Sequence, residues 1–292
     1  MADDVKQFIH EDPGAFLDAL NYTAAATEFS ARLIEKDFYC SLFLEGLRPL
    51  FDAGLVFKGG TALSKVHAGF YRLSEDLDFV IPISIDSTRS QRRAAIEPVK
   101  QHLAEIAMVL PWSTIKEPLK GKFESTHYSA MYSYLSRLSG ERETIKFEVG
   151  LREPTVEDAD QLPANTVLLS PLTTEIALPP IPVPVMSRRE CYAEKTRAAL
   201  CRQPAAIRDY FDLDYAVRGG ILNPNDSVLL DLISRKLAVP GNGPPDVSTM
   251  RLEDLRRQLD AQLQPVLRPK DFAQFDLDRA FSMIADVQKQ FG

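Results

Sequence analysis

The chain has 292 residues, 45% of them hydrophobic, and a formal net charge of −7, enough material for one large domain or two modest ones. The acidic balance argues against a globally basic nucleic-acid-binding module, although phosphate contacts depend on local potential and a local basic face stays open. No stretch approaches eighteen uninterrupted apolar residues, so neither a transmembrane helix nor a membrane partner is expected. The start, MADDVKQFIHED, is acidic and polar, unlike a secretory leader. Cys40, Cys191 and Cys201 lack metal-type spacing, which fits thiols in a reduced cytoplasm.

In chain order, apolar residues at helical spacing (Leu33, Phe38, Leu42, Leu47) predict one long helix from about 31 to 55, ending at Gly54. "LVFKGG" reads as a short buried strand stopped by glycines, "TALSKVHAGFY" as a helix, and "LDFVIPI" as a second strand ended by a proline. Residues 89–109 carry a helical pattern interrupted by Pro98. "THYSAMYSYL" and "ETIKFEVGL" read as two more strands. Six prolines between Gln161 and Val185 forbid a continuous helix and favour an extended connection. From Ser187 onward the pattern is helical for four or five segments. The expected architecture is therefore an α/β or α+β domain over residues 1–160, a proline-rich connection over 161–187 and a helical bundle over 188–292.

Within the second strand, Asp76 and Asp78 are one residue apart, so both point to one face, about 7 Å apart along the strand. Two such carboxylates repel by a few kcal/mol at an effective dielectric of about 20. Either their pKa rises or a cation sits between them. Mg²⁺ takes oxygen ligands, binds through one or two carboxylates, and lets substrate phosphates complete its shell. A third carboxylate, Glu148, lies in the alternating strand "IKFEVG". Upstream, Gly59 and Gly60 would let the backbone approach a triphosphate, with Thr61 supplying a hydroxyl and the following helix its N–H groups. A DxD also serves glycosyltransferases, and Val80 satisfies the frame of aspartyl-phosphate phosphatases; the upstream GG-T and the downstream glutamate favour nucleotidyl transfer. Lys58 and Lys65 stand near the glycines as candidate phosphate contacts, and His67 is expected to pack the helix that follows.

Ser74 precedes Asp76 by two residues, which puts its hydroxyl on the metal side. Phosphorylation there would add a charge of about −1.5 to −2 and repel an incoming NTP. Further on, Arg188, Lys195 and Arg202 recur every seven residues, with Arg208 next. The stripe could clamp a triphosphate and face RNA, or be an ordinary surface paired with Glu190, Glu194 and Asp209. Asp209 and Asp212, at i and i+3, could orient Lys195.

Four ordered blocks, "IEKDFYCSLFL" from Ile34, "FKGGTALSK" from Phe57, "RLSEDLDF" from Arg72 and "AEKTRAALCRQPAAIRDYFDL" from Ala193, resemble the AbiEii/AbiGii-type nucleotidyltransferase toxins, the group that includes the MenT-type toxins. The resemblance implies the α+β class, a polymerase-β-like nucleotidyltransferase fold with a mixed sheet followed by a helical domain. It also implies transfer from an NTP, with the 3′ end of tRNA as the acceptor, and a cognate antitoxin as partner. It assigns nucleotide and metal to Gly59, Gly60, Thr61, Asp76 and Asp78, and catalytic roles to Lys195 and Asp209. Glu148 comes from the strand pattern alone. Two alternatives remain at this point: nucleotidylation of a protein hydroxyl, and a GTP-binding regulator without turnover.

Overall fold

The computed structural model describes residues 9–291, so the first eight residues of the acidic opening lie outside the described residues. Helix α1 (Pro13–Thr27) starts where Asp12 Oδ1 accepts from the N–H groups of Gly14 and Ala15, with Pro13 at its first position. Helix α2 (Ala31–Gly46) is buried on almost every side. It ends at Gly46 and a short 3₁₀ turn, Arg48–Leu50, follows. The expected extension to Leu55 therefore fails, because Pro49 cannot continue the α ladder.

Strand β1 (Val56–Lys58) leads into α3 (Gly59–Ala62), which continues as a π-type turn over Leu63–His67. Strand β2 (Asp76–Val80) precedes α4 (Arg89–Val109), which runs without interruption through Pro98. Pro98 and Ala94 both face solvent, so the carbonyl deprived of its helical donor lies on the side open to water. Strands β3 (Ser113–Lys122), β4 (His127–Leu135) and β5 (Arg142–Gly150) form an antiparallel meander. The sequence gives no sign of β3, whose residues are mostly exposed and include four charges; it is an edge strand with register shifts around Pro118.

The stretch expected as a connection is extended, but it also contributes β6 (Asp160–Ala164) and β7 (Ile181–Val185) to the sheet. Alternate prolines in β7 hide it as a strand, since proline cannot donate to a ladder. The result is one mixed seven-stranded sheet, β3-β4-β5-β2-β1-β7-β6, in which β2–β5 and β1–β7 are parallel. The α+β expectation holds.

Alternation splits the sheet into two chemically different faces. Leu77, Phe79, Phe147, Val149, Tyr132 and Tyr134 point to one side and are buried. Helix α2 covers them: Tyr39 stacks on Tyr134 at 4.0 Å and Phe43 meets Tyr132 at 4.7 Å. The Tyr132 hydroxyl donates to Leu103 O of α4, placing that helix on the same face. The other side carries Asp76, Asp78, Lys146 and Glu148, all half-buried. The helical part follows: α5 (Arg188–Cys201), α6 (Ile207–Arg218), α7 (Ser227–Leu237), α8 (Thr249–Arg256), α9 (Pro269–Gln274) and α10 (Leu277–Gln288). Helix α5 is its centre, packed on α6, α7 and α10. The three cysteines are buried and free, and among the described residues no helix is long and apolar enough to cross a membrane.

Candidate active site

The parallel pairing of β2 with β5 sets Asp76 beside Lys146 and Asp78 beside Glu148, while antiparallel β1 sets Lys58 beside Asp78 on the other flank. Residues in register share a face, so three carboxylates and two lysines meet on the polar side of the sheet. No protein donor bonds the Asp76 or Asp78 carboxylate among the described residues. Burial pushes Asp78 up to about 6, with Glu148 and Asp76 adding repulsion against the partial relief of Lys58 and Lys195. Asp76 is also raised, first by burial, while Lys146 and Arg208 pull it back.

Glu148 behaves differently. Burial would raise it, but hydrogen bonds from His127 Nε2 (3.0 Å) and Lys146 Nζ (2.8 Å) outweigh that and hold it near about 2. Its two oxygens thus have protein partners already, whereas those of Asp76 and Asp78 do not. A pair of undonated carboxylate oxygens on one face suits a hard cation such as Mg²⁺. Among the described residues no group of three His, Cys, Asp or Glu side chains is arranged to hold a metal. Asp76 and Asp78 are the residues that would hold such an ion, as a two-carboxylate site with room for substrate phosphate and water to complete its shell.

The glycine turn packs directly against this pair. Gly59 has φ +77, and a Cβ there would lie 2.6 Å from Asp78 Oδ2, so only glycine fits. At Gly60 an added methyl would overlap the Arg72 guanidinium and touch Ser74 Oγ. Thr61 Oγ1 donates to the Asp76 carbonyl in a short bond, tying the turn to the first residue of β2. Its hydroxyl therefore has a backbone partner and faces the end of the strand. Lys65 is not a surface phosphate contact: it is fully buried, with Nζ 2.6 Å from Asp37 Oδ1 and 2.7 Å from Ser41 Oγ. His67 Nε2 meets the Met186 carbonyl at 2.9 Å, in line with its expected packing role.

Helices α5 and α6 bring the later residues to the same place. Lys195 lies between Asp209 (2.7 Å) and Asp212 (2.9 Å). Burial alone would lower its pKa, but the two aspartates more than offset this and raise it. Both aspartates thus orient the lysine, and Asp212 does more. It also binds Arg72 in a two-pronged pair at 2.5 and 2.8 Å and accepts from the Tyr71 hydroxyl at 2.8 Å. Arg202 reaches Asp209 at 3.6 Å, and Arg188 is exposed. Lys58 Nζ is held by Glu194 at 2.8 Å; Lys236, buried, links Glu194 to Glu190 and Glu153. The stripe is thus divided: Lys195 belongs to the polar face, and the arginines flank it.

Arg72, Lys146 and His127 went unassigned in the sequence, and Glu194 entered there only as a pairing partner of the basic stripe. Lys146 stands two residues before Glu148, and the alternation that singled out the glutamate also points to it. His127 and Glu194 reach the site through strand register and helix packing, for which the sequence carries no local sign.

The family model for the nucleotidyl transferase AbiEii toxin of type IV toxin–antitoxin systems matches residues 42–286. Among solved structures, JHP933 from Helicobacter pylori is 18% identical with a TM-score of 0.47, covering 90% of this chain and 92% of its own. A second H. pylori protein, described as a candidate nucleotidyltransferase, is 18% identical with a TM-score of 0.45, covering 86% and 91%. No curated protein matches the chain. With the family model spanning most of its length, this chain belongs to the AbiEii nucleotidyl transferase toxin family.

Proposed function

We propose that this protein transfers a nucleotide from an NTP to the 3′-terminal hydroxyl of tRNA, in a Mg²⁺-dependent reaction that blocks translation until a cognate antitoxin restrains it. The observation that carries the reading is the undonated Asp76–Asp78 pair in contact with the Gly59 turn. Gly59 and Gly60 bring backbone close to the triphosphate, Thr61 fixes the turn on β2, and Ser74 lies beside it. Asp76 and Asp78 would hold Mg²⁺, which when bound neutralises phosphate charge and activates the attacking hydroxyl.

The acceptor oxygen attacks the α-phosphorus; the bond to the bridging oxygen breaks, pyrophosphate leaves with that electron pair, and the hydroxyl proton passes to the carboxylate side of the cleft. Lys195, fixed by Asp209 and Asp212, keeps a positive charge close enough to act on Asp78 and to offset charge developing on the phosphate. Lys58, held by Glu194, adds a second cation on the other flank. The cytoplasm is the expected place of action, where NTP and tRNA are both found.

The test is incubation with each α-labelled NTP, Mg²⁺ and total RNA, followed by a denaturing gel. Labelled RNA that disappears on RNase treatment and is absent with Asp76→Ala supports the reading. Label that survives RNase and runs with protein replaces tRNA by a protein hydroxyl. Binding of NTP without pyrophosphate release points to a regulator.

A further inference from the structure

A cleft of about 740 Å³ opens at the C-terminal ends of β2 and β5, lined by Val80, Gly150 and His127 but not by Asp76 or Asp78. Val80 and Gly150 are register partners, as are Gly150 and His127. Val80 follows Asp78, and Gly150 follows Glu148, by two residues on the polar face. The cleft thus begins one strand step beyond the carboxylates. The glycine turn packs on the pair itself, Gly59 against Asp78 and Thr61 on the Asp76 carbonyl. The carboxylate pair therefore stands between the turn and the cleft.

The charges lining the cleft do not balance locally. Its carboxylates are engaged: Glu194 by Lys58 and Lys236, Glu153 by Lys236 and Arg152. Arg92 of α4 and Arg197 of α5 meet no carboxylate within salt-bridge distance among the described residues, and the Nε of each is buried without a hydrogen-bond partner. Arg92 Nη2 reaches only the Ile85 carbonyl, at 3.4 Å. Arg152 and Arg197 converge on a single neutral acceptor, Asn242 Oδ1, at 3.4 and 3.1 Å. The Asn242 amide nitrogen donates to the carbonyls of Lys236, Leu237 and Val239, so its oxygen is committed to the two guanidiniums. Arg152 also has Glu153 at 2.9 Å, whereas Arg197 has only this neutral atom, so Arg197 and Arg92 are the two guanidiniums open to an anion.

An aromatic group completes the lining. Phe123 is 76% exposed where it borders the cleft. It opens a run of three left-handed residues, Phe123, Glu124 and Ser125, at φ 49, 54 and 63. Non-glycine residues rarely adopt this conformation, and three in succession hold an apolar ring in water against local preference. Guanidiniums for phosphate beside an exposed ring for a base are the two elements of single-stranded nucleic-acid recognition.

We infer that this cleft seats the single-stranded end of the acceptor RNA, with Arg92, Arg152 and Arg197 on its phosphodiesters and Phe123 stacked on a base. The inference rests on the reading that an RNA hydroxyl is the acceptor. It gives donor and acceptor separate seats beside the carboxylates, the triphosphate at the glycine turn and the hydroxyl entering from the cleft beyond Asp78.

The experiment measures anisotropy of a labelled single-stranded oligoribonucleotide, with NTP binding followed in parallel, on the full chain. Arg92→Gln and Arg197→Gln should each weaken RNA binding roughly tenfold. Together they should flatten the slope of log K against log salt by about 1.4, at ~0.7 per cation on a single strand. Phe123→Ala should weaken RNA binding about five- to a hundredfold. NTP binding should not change in any of the three, and Arg→Lys at either position should restore part of the affinity. Melting curves matching the parent exclude a folding defect. Loss of NTP binding with RNA binding intact would make the cleft the donor seat and overturn the inference, as would no change in either. Asp76→Ala separates the two claims: it should bind RNA normally while losing transfer. Failure of transfer by the parent protein, with the arginine effects intact, would sink the tRNA reaction but not the RNA seat.

Discussion

Asp212→Asn should be among the most damaging single changes in this protein, and the geometry says why. The Asp212 side chain is wholly buried, and its two oxygens accept from Tyr71, from two nitrogens of Arg72 and from Lys195. Burial alone would raise its pKa, but Arg72 and Lys195 outweigh that and hold the carboxyl well below the usual carboxylate range. Asparagine keeps the shape, removes the charge and turns an NH₂ group toward a donor. Among the described residues Arg72 then has no carboxylate within salt-bridge distance, and Lys195 keeps only Asp209. Uncovering one member of a buried pair costs about 3–5 kcal/mol, a large part of a stability of about 5–15 kcal/mol. At about 2 °C per kcal/mol for a chain of this size, the melting temperature should fall by roughly 6–10 °C.

Urea unfolding of Asp212→Asn checks the magnitude, and a cycle of Arg72→Met, Asp212→Leu and the double variant checks the cause. The double variant should be much less damaged than the sum of the single ones, with a coupling of about 2 kcal/mol or more between contacting groups. A cost below about 1 kcal/mol, or additive single effects, would show that this pair does not tie α6 to the segment ahead of β2.

Asp78→Asn should abolish transfer yet raise the melting temperature slightly, since two undonated carboxylates repel each other in the free protein; calorimetry without Mg²⁺ reads this directly. Gly59→Ala should lose activity and cost more than the ~1–2 kcal/mol of a left-handed alanine, because its Cβ would also strike Asp78. Gly69→Ala, at φ +65 with nothing within 4 Å of the added Cβ, is the control and should show the conformational part alone by urea titration. For acid stability, Asp212 and Glu194 both have folded pKa values held below their ordinary ones, in each case by neighbouring cations that outweigh burial. The stabilisation they contribute is present above the ordinary carboxylate range and is lost as pH falls through the folded values. Denaturation measured from pH 7 down to pH 2 should therefore show an acid limb, and Glu194→Gln should flatten it.

Much of the polar face could be read from local pattern. The one-residue spacing of Asp76 and Asp78 puts them on one side of any strand, the glycines mark a turn that only they can make, and alternation in "IKFEVG" points to Glu148. Periodicity likewise located most of the helices and the α+β class. It failed where a chain segment takes its structure from neighbours rather than from its own composition. Strand β3 is a charged edge, β7 has two prolines in five residues and is held by Phe57 and β6, and α4 passes Pro98 on its solvent-facing side.

The same division separates the residues that line the site from the state they are in. Strand pairing places His127 and Lys146 on Glu148 and leaves Asp76 and Asp78 without donors, and helix packing brings both Asp209 and Asp212 onto Lys195. Residue type and spacing are local properties, written along the chain. Which oxygen is paired, which is bare and which arginine lacks a counter-charge depend on contacts between segments as much as 141 residues apart, and those exist only once the sheet has closed against the helices.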